Sequence, residues 1–417
     1  MIAPKFLLAL ALSFIAANAT AHAAIDSSAP RFVRIAAKNQ AERSALADLG
    51  ISIEVVRSDS VWSISAPAMV EAVKSAGFTI LESYDAQEAF SGPGSLDFPS
   101  ADQRYHNYAE MTSALRTLQS KHADITRIVS IGKSIEQRDI WAMQINSNPD
   151  ALRDSVSGKP GAVFMGAHHA REHLTVELPL MLAQHLLANR ELPEVARLLD
   201  TRDIWIIPMV NPDGAEFDVS TGKYQLWRKN RRKNANDSFG VDLNRNYGYR
   251  WGTGGSSKLP QSDTYRGEAA FSEPESMAVK NFVEARPNLK TMLTFHSFSE
   301  LILYPWGHTN EEIGNARDLA AFKQMANTMA GWNKYRAKQS SGLYITSGDT
   351  TDWAYGEHGI FAFTFELSPS GGAGASKGFY PGAAAVDKAF ADNLKPSLYL
   401  IDLADDPYRA ADYVPLH

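Results

Sequence analysis

The pattern of hydrophobic and polar positions divides the chain into a small first part and a larger second part. Over residues 30–84, short alternating runs and short amphipathic runs predict the order βαββαβ, which is the ferredoxin-like α+β pattern. The predicted strands cover residues 32–37, 51–56, 61–66 and 78–83, and the predicted helices cover residues 39–49 and 67–76. A linker rich in glycine and serine follows at residues 91–95.

From about Tyr105 onward, strand patterns and helix patterns alternate, which is typical of an α/β fold with a mixed, mostly buried central sheet flanked by helices. Helical periodicity predicts helices over residues 108–121 and 175–189. Apolar or β-rich runs predict strands over residues 126–132, 140–145, 162–165, 203–210, 291–295, 301–304 and 360–367. Because open α/β sheets bind ligands at the carboxyl ends of their strands, polar residues at those ends are the candidates for chemistry.

The first residues resemble a secretory signal. One positive charge at Lys5 precedes an apolar run over residues 6–17, which is short for a membrane span. Small residues at Ala21 and Ala23 predict cleavage before Ala24, whereas an uncleaved membrane anchor is the alternative. We expect a signal peptide at residues 1–23, a small domain at 24–98 and the main domain at 99–417, in a secreted or periplasmic protein that leaves the membrane after cleavage.

Composition limits the possible chemistry. The chain contains no cysteine, so that any zinc site must use histidine, aspartate or glutamate. The formal net charge of −6 provides no basic field over the whole protein, and nucleic acid is therefore not an expected partner.

The segment Gly166-Ala-His-His-Ala-Arg-Glu-His173 is the densest cluster of metal-binding residue types. His169-x-x-Glu172-His173 would match an inverted zincin, with both histidines as ligands and Glu172 as the base. That interpretation needs a continuous helix, but the segment directly follows a predicted strand and precedes a predicted helix. His169 and Glu172 alone would need a distant third ligand, and the best candidate is His296, which ends a β-rich run. Two imidazoles and a carboxylate leave one zinc position open for water.

Motifs in order over residues 103–405 resemble the zinc carboxypeptidases of the pancreatic carboxypeptidase A and B family. His169-Ala-Arg-Glu172 resembles the H-x-x-E signature of that family, and His296-Ser-Phe298 resembles its downstream metal-histidine segment. Further matches are the segments NPDG at 211–214, LWRK at 226–229, VDLNRN at 241–246, YRG at 265–267, FSEPE at 271–275 and FTFEL at 363–367. The resemblance implies the zinc carboxypeptidase fold, preceded by a small ferredoxin-like prodomain.

The resemblance also implies the metal site. It implies one zinc ion (Zn2+) per chain, held by His169, Glu172 and His296. Asp242 would hydrogen-bond a zinc histidine and select its tautomer, the alternative being a simple turn residue.

Two further residues acquire catalytic roles through the resemblance. Glu366, near the end of an apolar strand where an uncompensated carboxylate is costly, would be the general base; an exposed strand end is the alternative. Arg228 would stabilise the oxyanion. The neighbouring basic residues are expected to be solvated surface charges; they are Lys229, Arg231, Arg232 and Lys233.

The resemblance further implies how a peptide C-terminus would be recognised. The implied substrate-binding residues are Arg171, Asn244, Arg245, Tyr344 and Ser297. The implied specificity pocket contains Leu303, Gly307, Thr346, Asp349, Thr351 and Thr364. The B-type enzymes have an acid where this chain has Thr351, and here the acid is two positions earlier, at Asp349. This pocket is similar to that of secreted bacterial enzymes of mixed specificity, such as carboxypeptidase T, which predicts both apolar and basic C-terminal residues as substrates.

The N-terminal part resembles the activation domain of procarboxypeptidases. The resemblance implies a zymogen that is cut within residues 90–102, with the propeptide as intramolecular inhibitor, whereas a permanent accessory domain is the alternative. We expect a monomer that acts on peptide and protein C-termini. A hydrolase of cell-wall peptides or amino-acid conjugates is disfavoured because Asn244 and Arg245 are present. A non-catalytic binding protein is disfavoured because Glu366 and the candidate zinc ligands are present.

Overall fold

The computed structural model describes residues 29–86, 98–99, 102–148, 158–370 and 378–412. The expected signal peptide, the expected linker and most of the expected processing region lie outside these residues. Within the described ranges, the helices all fall short of the length and apolar character that crossing a membrane requires.

The N-terminal unit, residues 29–86, has the element order that its pattern predicts. It consists of β1 (Arg31–Ala36), α1 (Gln40–Asp48), β2 (Val55–Val56), β3 (Ser60–Ser65), α2 (Pro67–Ser75) and β4 (Ile80–Asp85). The antiparallel sheet has the order β2-β3-β1-β4. The side chain of Asn39 caps α1 by accepting a hydrogen bond from the Glu42 amide, and Pro67 begins α2.

Two strands of this unit differ from the prediction. The predicted strand at residues 51–56 shrinks to β2, although the Glu54 amide still donates to the Trp62 carbonyl at 2.9 Å. The Ile53 carbonyl and the Glu54 side chain contact the second part of the chain. The strand predicted from Phe78 begins at Ile80, because the Phe78 amide bonds to the Val73 carbonyl and closes α2. Gly77 makes this closure possible, since its φ of +90° lies in the left-handed region.

The second part is built on an eight-stranded mixed sheet. Its strands are β5 (Thr126–Lys133), β6 (Asp139–Ile145), β7 (Gly161–Met165), β8 (Asp203–Ile207), β9 (Leu289–Ser297), β10 (Leu301–Tyr304), β11 (Arg336–Gln339) and β12 (Phe361–Leu367). The order is β11-β10-β12-β9-β7-β8-β6-β5, and the central strands β12, β9, β7 and β8 are parallel. Strand β7 is buried along its whole length, as a parallel strand covered on both faces must be. The predicted mixed, buried sheet is therefore confirmed.

Helices cover both faces of this sheet. They are α3 (Tyr108–Lys121), α4 (Leu174–Ala188), α5 (Pro193–Thr201), α6 (Pro212–Val219), α7 (Pro274–Glu284), α8 (Ala316–Asn333), α9 (Thr350–His358) and α10 (Ala384–Asp402). Short 3-10 turns lie at Leu243–Arg245, Ser340–Gly342 and Pro407–Asp412. On β12, Phe363 and Phe365 join the core on one face and Ala362 joins the core on the other, as the alternation predicts. The strand predicted at 203–210 ends at Ile207, since Pro208 cannot donate to the ladder.

The parallel centre of the sheet positions the residues with chemistry. His169 follows β7 after a short loop, and His296 and Glu366 are the penultimate residues of β9 and β12, where they are register partners. Because these strands are parallel, their carboxyl ends meet at one edge. Helix α4 begins only at Leu174, so His169 and Glu172 lie in a loop, and the helical geometry of an inverted zincin is absent from this segment.

Candidate active site

A buried triad of potential metal ligands lies at this edge of the sheet. Candidate ligand atoms of His169, Glu172 and His296 all lie within 4.8 Å of one another. The Nδ1 atom of His169 is 2.8 Å from Oε1 of Glu172, and Nδ1 of His296 is 3.1 Å from Oε2 of the same carboxylate. The two Nδ1 atoms are themselves 3.1 Å apart. Nitrogen and carboxylate donors that converge in this way suit a cation such as zinc.

The loop that carries His169 depends on a close approach of backbone segments. A Cβ atom on Gly166 would lie 2.0 Å from the Thr175 carbonyl oxygen, so only glycine fits at the end of β7. The Thr175 hydroxyl donates to the Glu172 carbonyl at 2.6 Å and accepts from the Ala167 amide at 2.8 Å. These bonds tie the loop to the start of α4 and hold the two candidate ligands at a set separation.

Asp242 connects the triad to a buried arginine. Its Oδ1 atom lies 3.2 Å from Nε2 of His169, and its Oδ2 atom accepts hydrogen bonds from Arg228 at 3.0 and 3.1 Å. Burial opposes ionisation of Asp242, but Arg228 and His169 together hold its pKa well below the ordinary value. A carboxylate behind a metal-binding histidine fixes which ring nitrogen faces the metal.

The electrostatics of the triad suit a divalent cation. Burial disfavours a charged Glu172, yet the neighbouring His169 and His296 lower its pKa, so that the carboxylate is ionised. Burial lowers the pKa of His296, which favours the neutral imidazole that a metal requires. An anionic carboxylate with a neutral imidazole, and Asp242 behind His169, therefore fit a zinc ion.

Glu366 lies at the same edge of the sheet, but its pKa is shifted in the opposite direction to that of Glu172. Burial first, and then the negative charge of Glu172, raise its pKa well above the ordinary value, although Arg228 opposes the shift. A carboxyl group whose pKa moves toward neutrality can both accept and return a proton.

The predicted substrate-binding residues largely line one cleft with the triad. Of the predicted set, the cleft wall includes Arg228, Asn244, Arg245, Ser297, Leu303, Tyr344, Thr346, Asp349, Thr351, Thr364 and Glu366. Gly307 lies directly behind this wall, since a Cβ atom there would lie 2.4 Å from Oγ1 of Thr346 and 2.9 Å from Oδ2 of Asp349. A side chain at this position would therefore collide with the pocket residues.

Asn244 and Arg245 are held by their own hydrogen bonds. The Asn244 side-chain oxygen accepts from the amide of Thr350 at 2.9 Å and from its hydroxyl at 2.8 Å. The guanidinium of Arg245 donates to the carbonyl oxygens of Gly255 and Asn244 at 3.2 and 2.7 Å. Both side chains are thus oriented before any ligand arrives.

Asp349 has a structural task that the sequence pattern did not indicate. It is the N-cap of α9 and accepts from the Asp352 amide at 2.9 Å. The hydroxyls of Thr351 and Thr346 donate to the same carboxylate at 2.9 and 3.1 Å. Its role in substrate preference remains a prediction.

Arg171 does not reach the cleft wall among the described residues, although it was predicted to contact substrate. Its buried guanidinium donates to Asp263 and to the Leu226 carbonyl at 3.2 Å each, and its Cζ lies 4.5 Å above the ring of Phe379. It also pairs with Glu54 of the N-terminal unit. The substrate role of Arg171 therefore remains a prediction.

Four cleft residues are absent from the set that the sequence predicts. They are Ile53, Glu54, Ser340 and Leu343. The sequence did contain a signal for Glu54, because it is the single charged residue in the largely apolar run ISIEVV at 51–56.

The expectation of surface charges after Arg228 is wrong for Lys229. Lys229 is 3% exposed and its ammonium group donates to the Pro260 carbonyl at 2.7 Å. Burial lowers its pKa to about 8. The Cζ atom of Arg231 lies 3.6 Å above the ring of Phe217, so its guanidinium group packs on an aromatic side chain. Long basic side chains cover apolar surface in this way, and sequence pattern alone does not reveal it.

Comparisons with known proteins identify the family of this chain. The model of the zinc carboxypeptidase family matches residues 111–395. The chain is 36% identical over 366 residues to a zinc carboxypeptidase from Saccharothrix mutabilis subsp. capreolus, a match that covers 83% of this chain and 82% of that protein. It is 33% identical to zinc carboxypeptidase A 1 from Anopheles gambiae, over 64% of this chain and 61% of that protein, which is less than two thirds of the relative's length.

The fold has a solved counterpart as well. The crystal structure of carboxypeptidase A from Helicoverpa armigera has a TM-score of 0.73 and 23% sequence identity, and the match covers 93% of this chain and 99% of that one. The family uses zinc, and the buried triad of His169, Glu172 and His296 is a group that could hold it. The family match, the curated relatives and the shared fold lead to one conclusion: this chain belongs to the zinc carboxypeptidase family and is a metallocarboxypeptidase.

Proposed function

We propose that this metallocarboxypeptidase removes the C-terminal residue from peptides and proteins, with Glu366 as general base, and that it is made as an exported precursor. The observation that carries the proposal is the composition of one cleft. That cleft combines the candidate zinc ligands, a carboxyl group of raised pKa and fixed polar groups that suit a carboxylate.

Recognition of the substrate end follows from the groups that line the cleft. A free C-terminus carries a carboxylate, and an arginine fork binds a carboxylate through parallel hydrogen bonds. Arg245 is that arginine, and Asn244 stands beside it with its side-chain oxygen already occupied by Thr350. The amide nitrogen of Asn244 is then the group left for a ligand. Tyr344 lines the same space and would close over the bound residue.

Different protein groups carry out different parts of the chemical step. When bound, zinc supplies Lewis acidity that polarises the scissile carbonyl and makes water a nucleophile at neutral pH. Glu366 accepts a proton from the attacking water and returns it to the leaving amine as the peptide C–N bond breaks. Arg228, which Asp242 holds in place at 3.0 Å, stabilises the negative charge that develops on the carbonyl oxygen.

The pocket for the terminal side chain supports broad specificity. Leu303 provides an apolar wall, Gly307 leaves the wall without a protruding side chain, and Asp349 contributes a negative charge. The proposal is that apolar residues fit this pocket by size and that Lys or Arg is attracted by Asp349.

The N-terminal unit is proposed to act as the intramolecular inhibitor of a secreted zymogen. Its Ile53 and Glu54 line the cleft, and the Ile53 carbonyl accepts from the Tyr344 hydroxyl at 3.4 Å. The unit is also joined to the second part of the chain at the Gly255 amide, which donates to Asp48 at 2.7 Å. A substrate could not enter while these residues remain in place.

The direct test is release of C-terminal amino acids from a peptide panel by the wild-type protein and by Glu366→Gln, with and without a metal chelator. We expect the chelator to abolish release and the glutamine variant to lose about 100-fold or more in kcat while it retains zinc. Peptides with an amidated C-terminus serve as matched substrates that lack the carboxylate, and they should remain intact. Full activity of Glu366→Gln would overturn the mechanism, and equal cleavage of amidated peptides would overturn the exopeptidase assignment. Mass spectrometry of the secreted species tests the zymogen, because an active full-length protein would exclude it.

A further inference from the structure

His168, the residue before the candidate ligand His169, lies in a buried site made of hydroxyl groups. Its Nδ1 atom is 3.0 Å from Oγ1 of Thr294. Its Nε2 atom is 3.0 Å from the Tyr247 hydroxyl and 3.3 Å from Oγ1 of Thr350. The side chain is fully buried, and the ring nitrogens meet hydroxyls rather than carboxylates within the described residues. A neutral imidazole in this setting has one N–H donor and one acceptor nitrogen, and its neighbours decide which is which.

At the His296 end of this network, the candidate metal ligand defines which group donates in the first hydrogen bonds. His296 presents Nδ1 to Glu172 and His169, and its Nε2 atom lies 3.2 Å from Oγ1 of Thr294. A neutral imidazole that offers Nδ1 to a cation carries its proton on Nε2, so His296 donates to Thr294. In the part of the chain that the structure describes, this hydroxyl has the two ring nitrogens as its partners. The Thr294 proton therefore goes to Nδ1 of His168.

The hydrogen bonds at the Asn244 end of the network define the donor and acceptor nitrogens of His168 independently. The Thr350 amide donates to the Asn244 side-chain atom at 2.9 Å, which identifies that atom as the oxygen. The Thr350 hydroxyl must then donate to the same oxygen at 2.8 Å, since an amide oxygen only accepts. The Thr350 oxygen is left to accept from Nε2 of His168. Both ends thus require the same tautomer of His168, protonated on Nε2 and open on Nδ1.

We propose that His168 is a positioning residue that couples the metal ligand His296 to the substrate-binding residue Asn244. The coupling runs through one directional chain of hydrogen bonds, from His296 to Thr294 to His168 to Thr350 to Asn244. This inference rests on the proposed function, because it takes His296 as a zinc ligand and Asn244 as a carboxylate binder. The Tyr247 hydroxyl, at 3.0 Å, is the nearer acceptor of the same Nε2 proton, which it shares with Thr350 at 3.3 Å.

The chain has a physical consequence at both ends. Groups behind a metal-binding histidine typically change metal affinity by about 10- to 100-fold when they are removed. Because each hydrogen bond in a chain polarises the next, a break at Thr350 is felt at His296, although Thr350 touches no candidate ligand. A set of unconnected packing contacts would not transmit that effect.

The test measures zinc affinity of the full-length protein by competition with a chromophoric chelator. Thr294→Val keeps the volume and removes the hydroxyl, and we expect affinity to fall by about 10-fold or more. Thr294→Ser keeps the hydroxyl and should restore most of the affinity. Thr350→Val should weaken zinc binding by about threefold, which corresponds to one ordinary hydrogen bond. The visible spectrum of the Co2+-substituted protein should change in the Thr294→Val variant, because it reports ligand geometry.

Thr291→Val is the matched control. Thr291 is buried in the same strand, β9, but its hydroxyl donates to the Leu400 carbonyl at 2.9 Å and has no part in the chain of hydrogen bonds. We expect wild-type zinc affinity for this variant.

Three outcomes of these measurements test the role of Thr294, the coupling through His168 and the proposed function separately. Wild-type zinc affinity in Thr294→Val, or an equal loss in Thr291→Val, would overturn the role of Thr294. Unchanged affinity in Thr350→Val would overturn the coupling through His168. A wild-type protein that binds zinc tightly but cleaves no peptide would instead defeat the proposed function, and the zinc affinities would still decide the inference.

Discussion

Glu54 of the N-terminal unit forms a buried ion pair with Arg171, one of the two residues between the candidate ligands His169 and Glu172. Both side chains are almost fully covered, and Arg171 is further held by Asp263. Because an unpaired buried charge is costly, each partner depends on the other while the two units are in contact. Mutation of this ion pair should therefore weaken the contact by which the N-terminal unit covers the cleft.

Replacement of Glu54 is expected to activate the full-length protein. Glu54→Gln removes one of the two carboxylates that pair with Arg171 and weakens the contact between the N-terminal unit and the cleft. A loss of about 1.4 kcal/mol would raise the open population, and hence peptidase activity, about tenfold. The measurement is hydrolysis of a peptide with C-terminal leucine by unprocessed protein. Glu82→Gln is the control, since Glu82 belongs to the same unit but pairs with Arg34 at 2.7 Å, and it should change nothing. Equal rates for wild type and Glu54→Gln would refute the inhibitory role.

Asp242→Asn should weaken zinc binding. The substitution keeps the size of the side chain but removes the negative charge that serves both His169 and Arg228. We expect affinity to fall by about 10- to 100-fold, the usual effect of losing a carboxylate behind a metal-binding histidine. Chelator competition measures it. Asp213→Asn is a suitable control, because Asp213 is also buried and pairs with Arg138 at 2.7 Å. The assignment of Asp242 fails if the two variants lose affinity equally.

Asp349→Asn should change substrate preference without unfolding the protein. Asparagine caps helices about as well as aspartate, so the start of α9 is preserved. Removal of the charge should lower kcat/KM for C-terminal lysine relative to leucine by about tenfold, the equivalent of roughly 1.4 kcal/mol. A peptide pair that differs only in its last residue provides the ratio. An unchanged ratio, with an unchanged melting temperature, would show that Asp349 serves the helix alone.

His106 should contribute a stability that depends on pH. Its hydrogen bond to Glu177, at 2.8 Å, raises the pKa of His106 above the ordinary value, although partial burial opposes the shift. The stabilisation is therefore fully present below the unfolded pKa of about 6.5 and disappears as pH rises through the higher folded pKa. We expect His106→Gln to reduce the free energy of unfolding more at about pH 5.5 than at about pH 9.

His185 provides a control of opposite sign. Burial lowers the pKa of His185, so protonation favours the unfolded chain, and His185→Gln should be relatively more favourable at low pH. Urea denaturation of wild type and both variants at the two pH values gives the comparison. Parallel trends for the two variants would contradict the assigned shifts.

Much of the fold and of the site was open to prediction from pattern alone. Helix α3 was predicted with its bounds, and β7 and α4 were predicted to within one residue, because strong periodicity and short loops leave little choice. The same bounds placed His169 and Glu172 in a loop, which disfavoured the zincin geometry on the pattern alone. Contacts between distant segments leave no such local signal. Glu54 and Arg171 are 117 positions apart, and no periodicity reports that they meet.

The sequence by itself determined the element order of the N-terminal unit, the types of donor available for a metal and the family to which the chain belongs. Local periodicity and the chemistry of side chains carry that information. The tertiary structure alone decided which groups share a buried space: Asp242 between His169 and Arg228, Asp349 as a helix cap, Lys229 in the interior and His168 among hydroxyls. Hydrogen-bond direction, desolvation and charge pairing act between residues that are close in space, and the folded backbone sets those distances.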